Sequence, residues 1–247
     1  MPDGWSKAPF TAPVAGRDLT RQVHTLGEGP DMVLIQELPG VTPELLALAG
    51  RLAAAGFRVH VPHLFGPWGR SAMLSNTLRV LCLRREFAVF ARDRSSPVVD
   101  WLRALCAQLG GPVGVIGMCL TGNFALTLIA EDSVAAAVAS QPSLPIARQD
   151  ALHMSAGDIA ASRAALDVKP PMRALRFEGD PLCRAAKFAA IDAAFNDDRT
   201  RVETTTLPGR GHAVLTAHFV DEAGHPTRAA LDTVLAYLDA TLRPERA

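Results

Sequence analysis

The fold is decided by the stretch VGVIGMCLTGNFALTLIA at residues 113–130. Its first five residues are apolar or glycine and predict a buried strand, and a helical pattern begins directly after Cys119. A sharp turn from strand to helix pushes the residue at its tip outward, and Gly117 and Gly122 give the chain room to fold back. The helix would direct free N–H groups and the positive end of its dipole at the sulfur, which favours the thiolate. Cys119 is therefore the candidate nucleophile, and the alternative interpretation is a buried structural cysteine.

The same order of strand and then helix repeats along much of the chain. Short apolar runs predict strands at residues 32–36, 57–61, 113–117, 135–139, 174–177 and 202–207. Capping residues and helical periodicity predict helices at residues 43–56, 97–109, 120–130, 184–195 and 228–241. This alternation predicts the α/β class, with a mainly parallel sheet and helices on both faces, and the turn at Cys119 narrows it to an α/β-hydrolase. We expect one domain over residues 1–247, with its core at about 20–243, and residues 71–90 are ambiguous.

The composition excludes several classes of partner. Lys plus Arg and Asp plus Glu both total 25, so the sequence predicts no nucleic-acid partner and no basic membrane surface. We expect no secretory signal and no membrane span, because neither pattern is found in the sequence. The four cysteines form no C-x-x-C pair, which favours free thiols in the cytoplasm. His60 and His63 fall on opposite faces of a predicted strand, so we expect no metal site there, and we expect no cofactor and a monomer or homodimer.

The candidate general base is His212, in a glycine-rich loop directly after the strand at 202–207. Such a loop would lie over the carboxyl edge of the sheet, beside the nucleophile. In an α/β-hydrolase the three groups follow the order nucleophile, acid, histidine, and His153 would precede the acid. His218 and His225 come later, in a predicted helix or polar loop, and we expect them to be solvated.

The candidate acid is Asp180, which follows the strand at 174–177. A glycine before it and a proline after it force a turn that would direct the carboxylate toward His212. Glu178 is the nearest alternative, and Asp167 and Asp198 fit less well. The other interpretation of Asp180 is a residue that only forms the turn.

Together these motifs resemble the dienelactone hydrolase family. The resemblance runs from about residue 33 to residue 215, and its cysteine is specific, since most α/β-hydrolases carry serine at that point. The stretch VPHLFG at 61–66 is similar to the family's proline-aspartate-leucine segment, with histidine in place of aspartate. The motifs that carry the resemblance are Gln36-Glu37, GMCLTGN at 117–123, Gly179-Asp180 and Gly211-His212.

The resemblance implies that Glu37 lies near the sulfur and helps to switch it between thiol and thiolate. An uncompensated carboxylate at the end of a buried strand is costly, and the alternative is an ion pair with an arginine. The elbow predicts that the backbone N–H of Leu120 forms half of an oxyanion hole. The resemblance implies that the N–H of Leu38 forms the other half.

The chain departs from the family where substrate is bound. Dienelactone hydrolases have an arginine four residues after the catalytic histidine, which binds a substrate carboxylate, and Thr216 stands there in this sequence. Arg84, Arg85 and Arg210 are candidates to supply a substitute positive charge, or are surface arginines. The identity of the substrate is therefore open.

An apolar acyl pocket is predicted around Phe65 and Trp68, with Phe87 as a further candidate, although aromatic side chains there are equally typical of a core. The sequence as a whole favours hydrolysis of a small-molecule ester, lactone or thioester through an acyl-cysteine and a Cys-His-Asp triad. The alternatives are a non-catalytic or redox-sensing binding domain of the same fold, and an acyl transferase or thioesterase.

Overall fold

The computed structural model describes residues 4–70 and 96–243. The strands are β1 (Ser6–Val14), β2 (Arg17–Leu26), β3 (Asp31–Ile35), β4 (Arg58–Pro62), β5 (Val113–Met118), β6 (Val134–Ser140), β7 (Met172–Phe177) and β8 (Val202–Leu207). They form one sheet in the order β1-β2-β4-β3-β5-β6-β7-β8. Neighbouring strands from β4 to β8 are parallel, whereas β2 is antiparallel to both β1 and β4. The predicted mainly parallel sheet is confirmed.

Helices cover both faces of this sheet, as predicted. In the described residues they are α1 (Pro43–Ala54), α2 (Pro97–Leu109), α3 (Gly122–Leu128), α4 (Ala156–Leu166), α5 (Ala185–Phe195) and α6 (Pro226–Leu242). Successive side chains of a strand point to opposite faces, so Met32 and Leu34 of β3 join the core beneath α1 and α6. Val33 and Ile35 join the second core, beneath α2 to α5. No helix in the described part of the chain is long and apolar enough to cross a membrane.

Local capping explains where the first two of these helices begin. The Thr42 hydroxyl accepts the backbone N–H of Leu45 at 3.3 Å, and the Ser96 hydroxyl accepts that of Val98 at 3.2 Å. Each cap is followed by a proline, whose fixed φ suits the first helical position. Helix α2 ends at Leu109 and is capped by Gly110, which has φ +75°. The six predicted strands and five predicted helices agree with the structure to within two residues at each end.

Within residues 4–70 and 96–243, three elements were not predicted from the sequence, namely β1, β2 and α4. Strand β1 contains Pro9 and Pro13, which normally argue against a strand, but it is the edge strand of the sheet, where proline is tolerated. Helix α4 is capped by Ser155, which exchanges hydrogen bonds with Asp158. Only two of its residues are buried, so its apolar stripe is weak.

Five polar residues follow consecutive strands of the sheet at its carboxyl edge. Glu37 follows β3, Cys119 follows β5, Gln141 follows β6, Asp180 follows β7 and His212 follows β8. Because these strands are parallel, their carboxyl ends lie along one edge. This edge therefore holds the candidate site.

Candidate active site

Cys119 lies at the tip of a sharp turn between β5 and α3. Met118 is extended, with φ −134°, and Cys119 has φ +54°, in the left-handed region that residues with a side chain rarely adopt. A single turn of 3₁₀-helix, Cys119–Thr121, leads into α3. A strained backbone at the tip of a strand-to-helix turn is the geometry of a nucleophile elbow.

The two glycines beside Cys119 are required by close backbone contacts. A Cβ at Gly117 would lie 2.2 Å from the carbonyl oxygen of Thr121, and one at Gly122 would lie 2.8 Å from the Cα of Pro142. The usual elbow pattern has its second glycine two residues after the nucleophile. Here Thr121 occupies that position and Gly122 follows it, so the spacing departs from the pattern by one residue.

Thr121 lies between the elbow and the end of the neighbouring strand. Its buried hydroxyl accepts the backbone N–H of Met118 at 3.0 Å, and its own proton has acceptors in the carbonyl oxygens of Met118 at 2.9 Å and Gln36 at 3.2 Å. One side chain therefore contacts both the turn after β5 and the end of β3.

His212 and Asp180 are directly hydrogen bonded, although they are far apart in the sequence. His212 Nδ1 lies 3.0 and 2.9 Å from the two carboxylate oxygens of Asp180. The same carboxylate accepts the backbone N–H groups of Leu182 at 2.8 Å and Cys183 at 2.9 Å. The Asp180 side chain is fully buried, so these bonds fix its position. This leaves Nε2 of His212 as the nitrogen that can exchange a proton with a reacting group.

That nitrogen faces the sulfur of Cys119. Cys119 Sγ, a carboxylate oxygen of Glu37 and a ring nitrogen of His212 all lie within 4.8 Å of one another. Burial by itself would lower the pKa of His212, but its interactions with Asp180 and Cys119 outweigh burial and raise the pKa to about 10. Both interactions favour the protonated imidazole, and residue Cys119 beside it is only 7% exposed.

Glu37 is held by neutral partners. Its carboxyl group accepts the side-chain N–H of Gln141 at 3.1 Å and the hydroxyl of Thr216. Burial raises the pKa of Glu37, while the hydrogen bond from Thr216 and the charge of His212 oppose that rise. Among the described residues, the contacts of Glu37 include no arginine ion pair, the alternative that its burial had suggested.

The three atoms of Glu37, Cys119 and His212 also form the type of donor set that zinc accepts. Glu37 is held by Gln141 and Thr216 and His212 is held by Asp180, and we assign no metal to this set.

Two polar residues of the site, Gln141 and Ser143, were not identified from the sequence, and Gln36 was named there only as part of a motif. Gln36 joins β3 to the loop after β4, because its side chain donates to the carbonyl of Phe65 at 2.6 Å and accepts the N–H of Leu64 at 3.0 Å. Gln141 and Ser143 directly follow β6, so their place at the carboxyl edge was the signal available for them.

The predicted substrate-binding residues have contacts of different kinds. Trp68 is half-buried and stacks on His24, with the ring centroids 3.6 Å apart, and it meets the ring of Trp5 edge-on. Phe65 is half-buried in the loop held by Gln36. Arg210 is exposed and follows β8. A place for these three residues in a substrate pocket stays a prediction.

Leu38 and Leu120 directly follow Glu37 and Cys119 in the chain, and a role for their N–H groups in an oxyanion hole stays a prediction. Arg84, Arg85 and Phe87 lie outside the described residues.

Comparison of the sequence with known proteins identifies a family and a relative. The dienelactone hydrolase family matches residues 20–239. A carboxymethylenebutenolidase from Rhodococcus opacus is 27% identical over 216 residues, which cover 83% of this chain and 77% of that protein.

Solved structures share the fold at lower identity. The structure called m3DLH is 17% identical, with a TM-score of 0.67, over 97% of this chain and 99% of its own. A cold-adapted esterase from an Arctic intertidal metagenomic library is also 17% identical, with a TM-score of 0.60, over 98% of this chain and 97% of its own. With a family match over residues 20–239 and an α/β-hydrolase fold around its elbow cysteine, the chain belongs to the dienelactone hydrolase family.

Proposed function

We propose that this chain is a carboxylic ester hydrolase that cleaves a small ester, lactone or thioester through an acyl group carried on Cys119. The observation that supports this most directly is the row of contacts from Asp180 through His212 to Cys119 at the carboxyl edge of the sheet. Asp180 holds Nδ1 of His212 at 2.9 Å, and the other side of the ring faces the elbow sulfur. This is the order of acid, base and nucleophile that acyl transfer needs.

In the first half of the reaction, the thiolate of Cys119 attacks the carbonyl carbon of the ester and forms a C–S bond. Negative charge develops on the carbonyl oxygen, where the backbone N–H groups of Leu120 and Leu38 would donate hydrogen bonds. The bond from carbon to the leaving oxygen then breaks, and His212 gives its Nε2 proton to that oxygen. The products are a thioester on Cys119 and an alcohol, which stays attached when the substrate is a lactone.

In the second half, neutral His212 takes a proton from water as the water oxygen attacks the thioester carbon. The C–S bond breaks, the carboxylic acid leaves, and the thiolate is restored beside the imidazolium. Neither half requires a cofactor.

Glu37 would control the charge on the sulfur, as the resemblance to the family implies. Its carboxyl oxygen lies within 4.8 Å of Sγ, and burial raises its pKa, which favours a protonated carboxyl group near the sulfur. We propose that proton exchange with Glu37 sets whether Cys119 rests as thiol or thiolate.

The proposed substrate class rests on similarity to a named relative and on one residue that departs from the family pattern. The relative from Rhodococcus opacus is named for a butenolide, an unsaturated lactone, so lactones are the first class that we propose. The position that holds arginine in dienelactone hydrolases is Thr216, buried against Glu37. Neutral esters therefore belong in the same test panel as lactones that carry a carboxylate. Arg84, Arg85 or Arg210 would bind such a carboxylate, and Phe65 and Trp68 would contact the acyl group.

The test uses short aryl esters and a dienelactone with wild type, Cys119→Ala and Cys106→Ala. Cys106 is also a buried free cysteine and lies in the core of α2, so its variant is the matched control. We expect Cys119→Ala to lose at least about 10⁴-fold in kcat. Wild type and Cys106→Ala, quenched during turnover, should each carry one acyl group by intact mass.

Equal turnover by wild type and Cys119→Ala would remove the sulfur from the mechanism. Products formed with an added alcohol distinguish hydrolysis from acyl transfer, because a transferase would yield a new ester. If no ester or lactone is cleaved while Cys119 is still alkylated readily, a redox-sensing domain would be the better interpretation.

A further inference from the structure

The hydroxyl of Ser143 lies between the two reacting atoms of the site. Its Oγ is 3.7 Å from Cys119 Sγ and 3.4 Å from His212 Nε2, and the residue is fully buried. The backbone N–H of Ser143 also donates to the carbonyl oxygen of Cys119 at 3.0 Å. Backbone and side chain together therefore hold this hydroxyl beside the sulfur.

The hydrogen-bonding capacity of the site limits what this hydroxyl can do. A serine hydroxyl donates one hydrogen bond and accepts two. Its third neighbour is the carbonyl oxygen of Gln141, at 2.9 Å, which can only accept. His212 Nδ1 donates to Asp180, so Nε2 donates when the ring is charged and accepts when it is neutral.

In the charged state, one orientation of the hydroxyl satisfies both reacting atoms. Nε2–H of the imidazolium donates to Ser143 Oγ, and the hydroxyl proton turns from Gln141 toward the thiolate. A hydrogen bond to an ionised acceptor is stronger than one to a neutral carbonyl, so a thiolate competes well for that proton. When the sulfur carries an acyl group it is a poor acceptor, and the hydroxyl returns to Gln141.

We propose that Ser143 is a positioning residue that bridges the His212 imidazolium and the Cys119 thiolate and thereby favours the nucleophilic form of the sulfur. The inference rests on the proposed role of Cys119 as nucleophile. Its measurable consequence, however, is the charge on the sulfur in the absence of any substrate.

Other groups also act on this sulfur, and the test must leave them in place. In the described residues they are Glu37 at the end of β3, His212 after β8, and Asp180 and Cys183 after β7. Glu37 is hydrogen bonded to Gln141 and Thr216, and Asp180 to His212 and the 182–183 backbone, none of which uses the Ser143 hydroxyl. Removal of this hydroxyl therefore isolates the bridge.

The experiment measures the rate of Cys119 alkylation by iodoacetamide as a function of pH, with peptide mapping to select Cys119. In Ser143→Ala we expect the rate at neutral pH to fall about 10-fold and the midpoint of the profile to rise by about one pH unit. Ser143→Thr retains the hydroxyl and should restore most of the wild-type profile. Ser162→Ala is the matched control, because Ser162 is a fully buried serine that donates to the carbonyl of Leu126 at 2.8 Å.

Turnover provides a second readout. We expect kcat of Ser143→Ala to fall about 10-fold with KM changed less than about 2-fold, since the hydroxyl acts on the nucleophile and not on substrate binding. If Ser143→Ala does not fold by circular dichroism, Ser143→Gly replaces it as the variant without a hydroxyl.

A midpoint that stays at the wild-type value in the folded variant without the hydroxyl would overturn the proposal, as would an equal shift in Ser162→Ala. A shifted midpoint in a protein that hydrolyses no ester would support the bridge while rejecting the proposed function. The two failures are therefore distinguishable.

Discussion

The described part of the chain contains two histidine–aspartate pairs, and only one of them adjoins the candidate nucleophile Cys119. His212 lies 2.9 Å from Asp180, and His60 lies 2.7 Å from Asp31. Both histidines are held by a carboxylate through one ring nitrogen, and both pairs are largely buried. By distance alone, the pair at His60 would be the better candidate for catalysis.

The second ring nitrogen distinguishes the two pairs. Nδ1 of His60 shares a hydrogen bond with the hydroxyl of Thr25 at 3.1 Å, so the ring joins β2, β3 and β4. Nε2 of His212 faces Ser143 and Cys119 instead. The first pair stabilises a sheet, and the second leaves a nitrogen free to move a proton.

Their places in the sheet differ in the same way. Asp31 is the first residue of β3, at the amino end of the parallel strands, whereas Asp180 follows β7 at the carboxyl edge. Reactive groups of parallel sheets gather at the carboxyl edge. A histidine–aspartate pair therefore indicates a catalytic site only when two further facts are known. These are the edge of the sheet at which the pair lies and the group that the second ring nitrogen contacts.

Replacement of each histidine by asparagine is the most direct test of the difference between the two pairs. We expect His212→Asn to lower kcat by about 10⁴-fold or more, because no group remains to move the proton. His60→Asn should keep turnover per folded molecule within about 2-fold and lower the free energy of unfolding by about 1–3 kcal/mol. Ester hydrolysis and urea unfolding measure the two effects, and comparable losses of turnover in both variants would contradict the distinction.

The aspartates give the next largest effect. Asp180→Asn should reduce kcat by about 10³–10⁴-fold, because an amide no longer selects the ring tautomer with a free Nε2 acceptor. Asp31→Asn should leave kcat near the wild-type value and lower the stability, because it weakens the bond to His60 and the contact with Arg58 at 3.7 Å. If Asp180→Asn kept most of the wild-type kcat, the carboxylate would have no part in the reaction.

The elbow places the sulfur beside His212, and its glycines test that placement. In Gly117→Ala the new Cβ would meet the Thr121 carbonyl oxygen at 2.2 Å, so the turn must shift. We expect a loss of about 1–3 kcal/mol in the free energy of unfolding, and lower kcat in the molecules that remain folded. Gly111→Ala is the control, because its Cβ would have no neighbour within 4 Å. Equal stability of the two variants would mean that the elbow backbone is not constrained as described.

A substitution at Thr25 tests whether the His60 pair stabilises the sheet without acting on the site. Thr25→Val removes the hydroxyl that contacts Nδ1 of His60 at 3.1 Å and keeps the side-chain shape. We expect the free energy of unfolding to fall by about 0.5–1.5 kcal/mol with turnover unchanged. Thermal or urea denaturation measures the change, and a loss of kcat would show that the His60 pair acts on the site.

The sequence predicted the parts of the molecule that depend on local pattern. The run at 113–117 followed by glycine-flanked Cys119 predicted the turn from strand to helix, and the order of motifs predicted the contact between Asp180 and His212. The sequence did not predict contacts made by side chains without a motif. Ser143 and Gln141 follow a strand of small residues, and their relation to the sulfur depends on how β6 lies beside β5, which is a property of the assembled sheet.

Proline in the edge strand has a consequence for self-association. Strand β1 lies at one margin of the sheet, where an unpaired backbone could recruit a strand from another molecule. Pro9 and Pro13 carry no N–H, so this margin offers fewer donors to an incoming chain than a strand of ordinary residues would. The two prolines that make β1 difficult to predict from the sequence thus help to protect the folded protein against aggregation by sheet extension.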